Sequence, residues 1–149
     1  MFETIFATNS DFGPLLLRIV LGLVLFPHGA QKLLGWFGGY GLKGTMGYFT
    51  GTAGLPTIIA FLVIIGESFG SVALIFGLLT RFSALSIAVI MLGAAYLVHK
   101  EHGFFINWFG AQKGEGYEFH LLATGAALTL AITGAGAYSA DQWILSLLQ

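Results

Sequence analysis

The sequence predicts an all-α fold: an integral membrane four-helix bundle, built as one domain over residues 1–149. Three observations predict it. The chain is 56% hydrophobic and only 9% charged, where soluble domains carry about 25% charged residues. Its mean hydropathy is +0.86. Its apolar residues gather into four runs, about residues 14–34, 55–79, 82–98 and 117–137, each suited in length to a helix crossing a hydrocarbon core of about 30 Å.

Composition also excludes functions. A net charge of −1 leaves no basic surface for nucleic acid. The absence of cysteine rules out disulfide exchange, CxxC redox chemistry, thiolate metal sites and a cysteine nucleophile. A redox role therefore calls for a bound cofactor, a quinone or a metal.

The first run follows a segment with Glu3 and Asp11 but no Lys or Arg. That segment lacks the basic region of a signal peptide, so the run is expected to stay as a helix beginning near Pro14. At 100° per residue, Arg18, Leu21, Leu25, His28 and Lys32 fall within an arc of about 80°. A polar stripe of this kind should face the bundle interior. Pro27 withholds a backbone donor beside His28 and predicts a local kink.

Residues 35–54 read as a glycine-rich loop with a short interfacial segment. Gly39–Gly44 matches GxGxxG, but no strand precedes it, so the dinucleotide reading is empty. The second run starts after Pro56 and holds Glu67 near its centre. A carboxylate at that depth costs roughly 2.5–3.5 kcal/mol on insertion scales, so it needs a partner or a task. Gly66/Gly70 and Ala73/Gly77 are small-xxx-small pairs for close helix packing. The third run ends in His99-Lys100-Glu101-His102. A second aromatic, glycine-rich loop follows, with Trp108, and the fourth run opens on Glu118 and His120.

An even number of crossings places both termini, with Glu3 and Gln149, on one face and both long loops on the other. The loops and their edges hold Lys32, Lys43, Lys100 and Lys113, which by the positive-inside rule puts them in the cytoplasm. All four histidines then gather at the loop end. His28 and Glu67 are the candidate proton-handling residues; Arg18 and Lys32 are candidates to stabilise negative charge on a ligand oxygen. Glu67 is expected to face the Arg18–His28–Lys32 stripe. His99 and Glu118 line the ligand site, and Trp36 and Trp108 cover it. The rival reading of Glu67 is a structural ion pair, and His102 reads as a solvated loop residue. A haem held by His28, or a transition metal on His99 and His102, are lesser alternatives without a specific signature; no metal ligand is assigned.

The strings LRIVLGLVLFPHGAQKLLGWFGG, Gly66-Glu67 before GLLTRFSAL, MLGAAYLVHKEHGFF, GEGYEFHLL and the Ser-x-Asp of Ser139–Asp141 together resemble the DoxX family of small four-helix membrane proteins. The resemblance runs from Leu17 to Trp143. It maps the family's recurrent polar positions onto Arg18, His28, Gln31, Lys32, Glu67, Arg81, His99, Glu118 and Asp141, which adds Gln31 to the candidate ligand-binding residues. His102 and His120 are less typical of it. The resemblance implies association with membrane oxidoreductases, since relatives are subunits linked to a quinol oxidase and to thiosulfate:quinone oxidoreduction. It transfers no catalytic residues.

The expectation is thus a multi-pass protein of the cell (inner) membrane: an oxidoreductase-associated subunit that binds a quinone or similar apolar molecule in a polar intramembrane site. Its partners would be lipid, subunits of a membrane oxidoreductase complex and further copies of itself. The alternatives are solute or proton transport without redox chemistry, and a structural scaffold for a membrane complex.

Overall fold

The computed structural model describes residues 6–148, so Glu3 and Gln149 lie outside the described residues. The regular secondary structure of the described residues is all helical, with no strand. Helix α1 spans Phe12–Leu34 and continues through Pro27. A 3₁₀ turn at Trp36–Gly38 leads into α2, Gly41–Gly51, the short segment expected inside the first long loop. Helix α3 spans Thr57–Phe76 and α4 spans Thr80–Ala94, the latter extended by a π-helical turn at Ala95–His99 and a 3₁₀ turn at Lys100–His102. Helix α5 is Glu118–Thr133 and α6 is Ala140–Leu148.

Three of these are long and apolar enough to cross a membrane: α1, α3, and α4 with its extension, at 23, 20 and 23 residues. Helix α5 has 16 residues. It stops short of the run predicted to residue 137 because Gly134 adopts φ +85°. A Cβ there would stand 2.5 Å from the Ala7 carbonyl oxygen, so the backbone leaves the helix against the N-terminal segment. The residues that follow, Gly134–Ala137, are all buried.

Around the bundle α1 packs on α3, α3 on α4, α4 on α5 and α5 on α1. The closest approach is between α1 and α3. A Cβ on Gly29 would stand 2.6 Å from Ser68 Cα, and the Ser68 hydroxyl donates to the Gly29 carbonyl at 3.0 Å. Gly66 and Gly70 fit α3 to α4: added Cβ atoms would meet Ile90 at 2.9 Å and Ile87 at 3.4 Å. Of the second predicted pair, Gly77 instead ends α3 and abuts Ser139 and Arg18. The core between the helices holds Leu21, Leu25, Leu74, Ile87, Met91 and Leu130.

The end of the bundle away from the long loops is tied by charge. Arg18, 1% exposed, donates to the carbonyls of Leu74 at 3.2 Å and Ile75 in the last turn of α3. It also donates to Ala135, Ala137 and Tyr138 at 2.9, 3.2 and 2.9 Å. Arg81 does the same for α5, donating to Ala131 and Ile132 at 2.8 and 2.7 Å. Cations suit these positions because the last carbonyls of a helix lack internal donors and carry its negative dipole end. Asp141 completes the knot by accepting from the amides of Leu79 and Thr80 at the start of α4, at 2.6 and 2.8 Å.

Arg18 therefore does not face Glu67. It shares a helix face with Lys32, but fourteen residues separate them, about 21 Å along the axis at 1.5 Å per residue.

Candidate functional site

The partner of Glu67 is Lys32. Its Nζ lies 2.8 Å from Glu67 Oε1, with side-chain exposures of 25% and 4% respectively. The local sequence makes this pairing possible. The Gly29–Ser68 contact draws the backbones of α1 and α3 together one residue after Glu67 on α3 and about one turn before Lys32 on α1. Lys32 also reaches the His28 carbonyl at 3.4 Å.

The pair stands in the wall of a cavity of about 600 Å³ to which α1, α3, α4 and α5 all contribute. The rest of that wall is mainly apolar, with Leu25, Ile59, Val63 and Met91 among its residues. Toward the loops it is closed by Tyr48 and Phe49 of α2 and by Ile106 and Gly116 of the second long loop. His28, His99 and His120 line it as well. The His99 and His120 rings stack at 4.1 Å with a 36° tilt. His99 Nδ1 is 2.8 Å from the Glu115 carbonyl oxygen, which holds its ring against the loop. His120 Nδ1 is buried without a hydrogen-bond partner. The His28 ring lies 6.2 Å from Phe119. His99 sits on the π-helical turn, a wider turn of a type that recurs at functional sites.

Of the residues singled out from sequence, Glu67, Lys32, His28 and His99 meet in this cavity. Arg18 belongs to the knot at the opposite end. Gln31 donates to the Phe37 carbonyl at 3.2 Å and lines a smaller cavity of about 300 Å³ with Tyr40 and Thr45. Glu118 accepts from the Ile106 amide at 2.8 Å and so holds the second loop in place. Trp36 and Trp108, 53% and 79% exposed, do not border the cavity; the aromatic walls are Tyr48, Phe49 and Phe119. His102 is half-buried beside Gly114 and also lies outside it. Among the described residues no three His, Cys, Asp or Glu side chains gather as a metal-ligand set.

His120, Tyr48, Phe49 and Phe119 also line the cavity, and none of them was among the site residues drawn from the sequence. The signal for Phe119 and His120 was their place in the first turn of α5, directly after the loop that bears Glu115. Chemically, the arrangement offers a charged donor, a carboxylate and three imidazoles around an otherwise greasy chamber. A small-molecule site has this character: mostly apolar, with a few placed polar groups.

A model of the DoxX family matches residues 13–100. The chain is 31% identical over 136 residues to the protein named "Putative oxidoreductase CatD" of Bacillus subtilis (strain 168), covering 91% of this chain and 90% of that protein. It is 35% identical over 133 residues to "Inner membrane protein YqjF" of Escherichia coli (strain K12), covering 89% and 92%. No solved structure matches.

Proposed function

The chain belongs to the DoxX family of membrane proteins, and from that premise we propose that it is an inner-membrane, oxidoreductase-associated subunit that binds a quinone or a similar flat apolar molecule. The observation that carries this reading is the Lys32–Glu67 ion pair set in the wall of an apolar chamber of about 600 Å³. That volume lies within the roughly 300–1,000 Å³ typical of small-molecule sites. The Lys32 ammonium has three donors and can present one to a ligand carbonyl while keeping Glu67. Glu67 and His28 are the groups that would exchange protons with a reduced ligand oxygen. In this reading the electrons come from a partner subunit and the quinone itself is the redox group, the chain having no thiol couple of its own. The relative named as an oxidoreductase supports the redox setting.

The topology belongs to the same proposal. Helices α1, α3 and α4 cross the bilayer and α5 is the fourth crossing. At 16 residues α5 measures about 24 Å, and the buried segment Gly134–Ala137 extends it. Non-helical backbone is tolerated at membrane depth when it is buried in protein, and here Arg18 satisfies two of its carbonyls.

The test has two parts. Protein purified in mild detergent is extracted and its lipids are analysed by mass spectrometry for co-purified quinone. It is then titrated with a short-chain benzoquinone while its thermal unfolding is followed. Saturable stabilisation is expected, with His28→Ala and Glu67→Gln each weakening binding by about 1–3 kcal/mol through loss of a polar partner for the ligand head. His102→Ala, outside the cavity, should bind as the wild type does. Unsaturable binding, or equal loss in all three variants, refutes the site.

A further inference from the structure

The cavity is not confined to the interior of the bundle. Its lining includes Ile59 and Val63 on α3 and Val89, Gly93 and Leu97 on α4. Ile59, Val89 and Leu97 are 43%, 63% and 51% exposed. Side chains that border the chamber are thus left far from covered by protein, on two helices apolar enough to cross a membrane. The reason lies in where α3 and α4 touch. They are fitted together by Gly70 against Ile87 and Gly66 against Ile90. Toward the loop end Ile59 and Val63 face the chamber instead, and so do Gly93 and Leu97. Gly93 widens the gap further: a Cβ built there has nothing within 4 Å. On the loop side, by contrast, the chamber is walled by Tyr48, Phe49, Ile106 and Gly116.

We propose that the chamber is filled sideways from the bilayer, through a cleft between α3 and α4 that takes the hydrocarbon tail of a membrane-dissolved ligand whose polar head reaches Lys32 and Glu67. The occupant follows from the chemistry of the two ends. The inner wall carries a buried ion pair, which selects a polar head. The cleft is lined by aliphatic side chains at membrane depth, where the surrounding medium is itself hydrocarbon and a tail can pass without leaving an apolar environment. A water-borne solute would have no favourable route along Ile59, Val63 and Leu97. The identity of the head as a quinone rests on the function proposed above; the route and the tail do not.

Gly93 is the position to test, because it borders the chamber and a Cβ added there meets nothing within 4 Å. Gly125 on α5 is the control: it too has nothing within 4 Å of an added Cβ, is exposed, and does not border the cavity. In nanodiscs, wild-type protein and Gly125→Phe should bind a decyl-tailed benzoquinone at least tenfold more tightly than a tailless one. Gly93→Phe should lose that advantage while binding the tailless compound within twofold of wild type. Equal binding of the two compounds by wild type, or an unchanged tail preference in Gly93→Phe, overturns the lateral route. If wild type binds neither quinone, the quinone reading falls, and a long-chain alcohol with a mid-chain photoreactive diazirine tests the cleft by itself. It should label α3 and α4 around Val63 and Leu97 saturably in wild type and Gly125→Phe, and not in Gly93→Phe. Unsaturable labelling, or labelling that Gly93→Phe leaves intact, overturns the cleft.

Discussion

Removing either member of the Lys32–Glu67 pair should destabilise the bundle, and the two removals should be unequal. At 2.8 Å and an effective dielectric of about 20, the Coulomb attraction is about 6 kcal/mol, most of it offset by the desolvation of both groups. What a single substitution exposes is the uncompensated charge left behind. Lys32→Met strands Glu67, whose side chain is 4% exposed, beside apolar α3 and α4 residues. That falls in the range of about 3–5 kcal/mol found when one partner of a buried pair is removed. Glu67→Gln strands Lys32, which is 25% exposed and keeps the His28 carbonyl within reach, so its cost should be smaller, about 1–2 kcal/mol. The double variant Lys32→Met/Glu67→Gln leaves no buried charge and should recover most of the loss, because removing both partners of a buried pair costs far less than stranding one of them. The assay is equilibrium unfolding in mixed micelles of increasing denaturing detergent, followed by far-UV circular dichroism for all four proteins. The expected coupling is at least about 1.5 kcal/mol. If the single effects add to within about 0.5 kcal/mol, the pair is not a coupled unit and the reasoning fails.

Arg18→Lys should lower stability by about 3–5 kcal/mol, since one ammonium cannot serve the five carbonyls that the guanidinium reaches. The same unfolding assay should find its effect additive with Glu67→Gln, because the two sites lie at opposite ends of the bundle; strong coupling would contradict that separation. For topology, single cysteines at Lys43 and Lys113 should react with an impermeant thiol reagent from the same side of the membrane, opposite to cysteines at Glu3 and Gln149. A split within either pair would refute four crossings.

The fold class was legible because hydropathy reports burial in lipid directly, and the helices lie where the apolar runs lie. The ends were less legible. Helix α5 stops at Thr133 because its backbone meets Ala7, a contact between distant parts of the chain that no local pattern encodes. Trp36 and Trp108, expected to cover the ligand site, do not border the chamber for a related reason. Which rings of a loop turn inward depends on how α2 is seated, so Tyr48 and Phe49 face the chamber while Trp36 and Trp108 face out. The α1–α3 contact, in contrast, left a readable mark. Gly22 and Gly29 stand two turns apart on one face, and both come within a Cβ clash of α3.

Arg18 shows where helical phase stops being informative. Phase assigns a side chain to a face, and Arg18 and Lys32 do share one; it does not say what lies opposite at each depth. At the level of Lys32 the opposing group is a carboxylate. At the level of Arg18 it is the last turn of α3 and a buried non-helical segment, both offering carbonyls. The buried charges thus fall into two kinds. Arg18 commits all five of its N–H bonds to backbone carbonyls, and Asp141 and the half-buried Arg81 are likewise bonded to backbone groups at that end of the bundle, none of the three lining the chamber. Lys32 and Glu67 satisfy one another and border open space. A charge saturated by backbone has its whole hydrogen-bonding capacity committed to the fold. A mutual pair beside a chamber can exchange part of its interaction for a ligand, and that distinction is the reason the proposed site is drawn at the loop end.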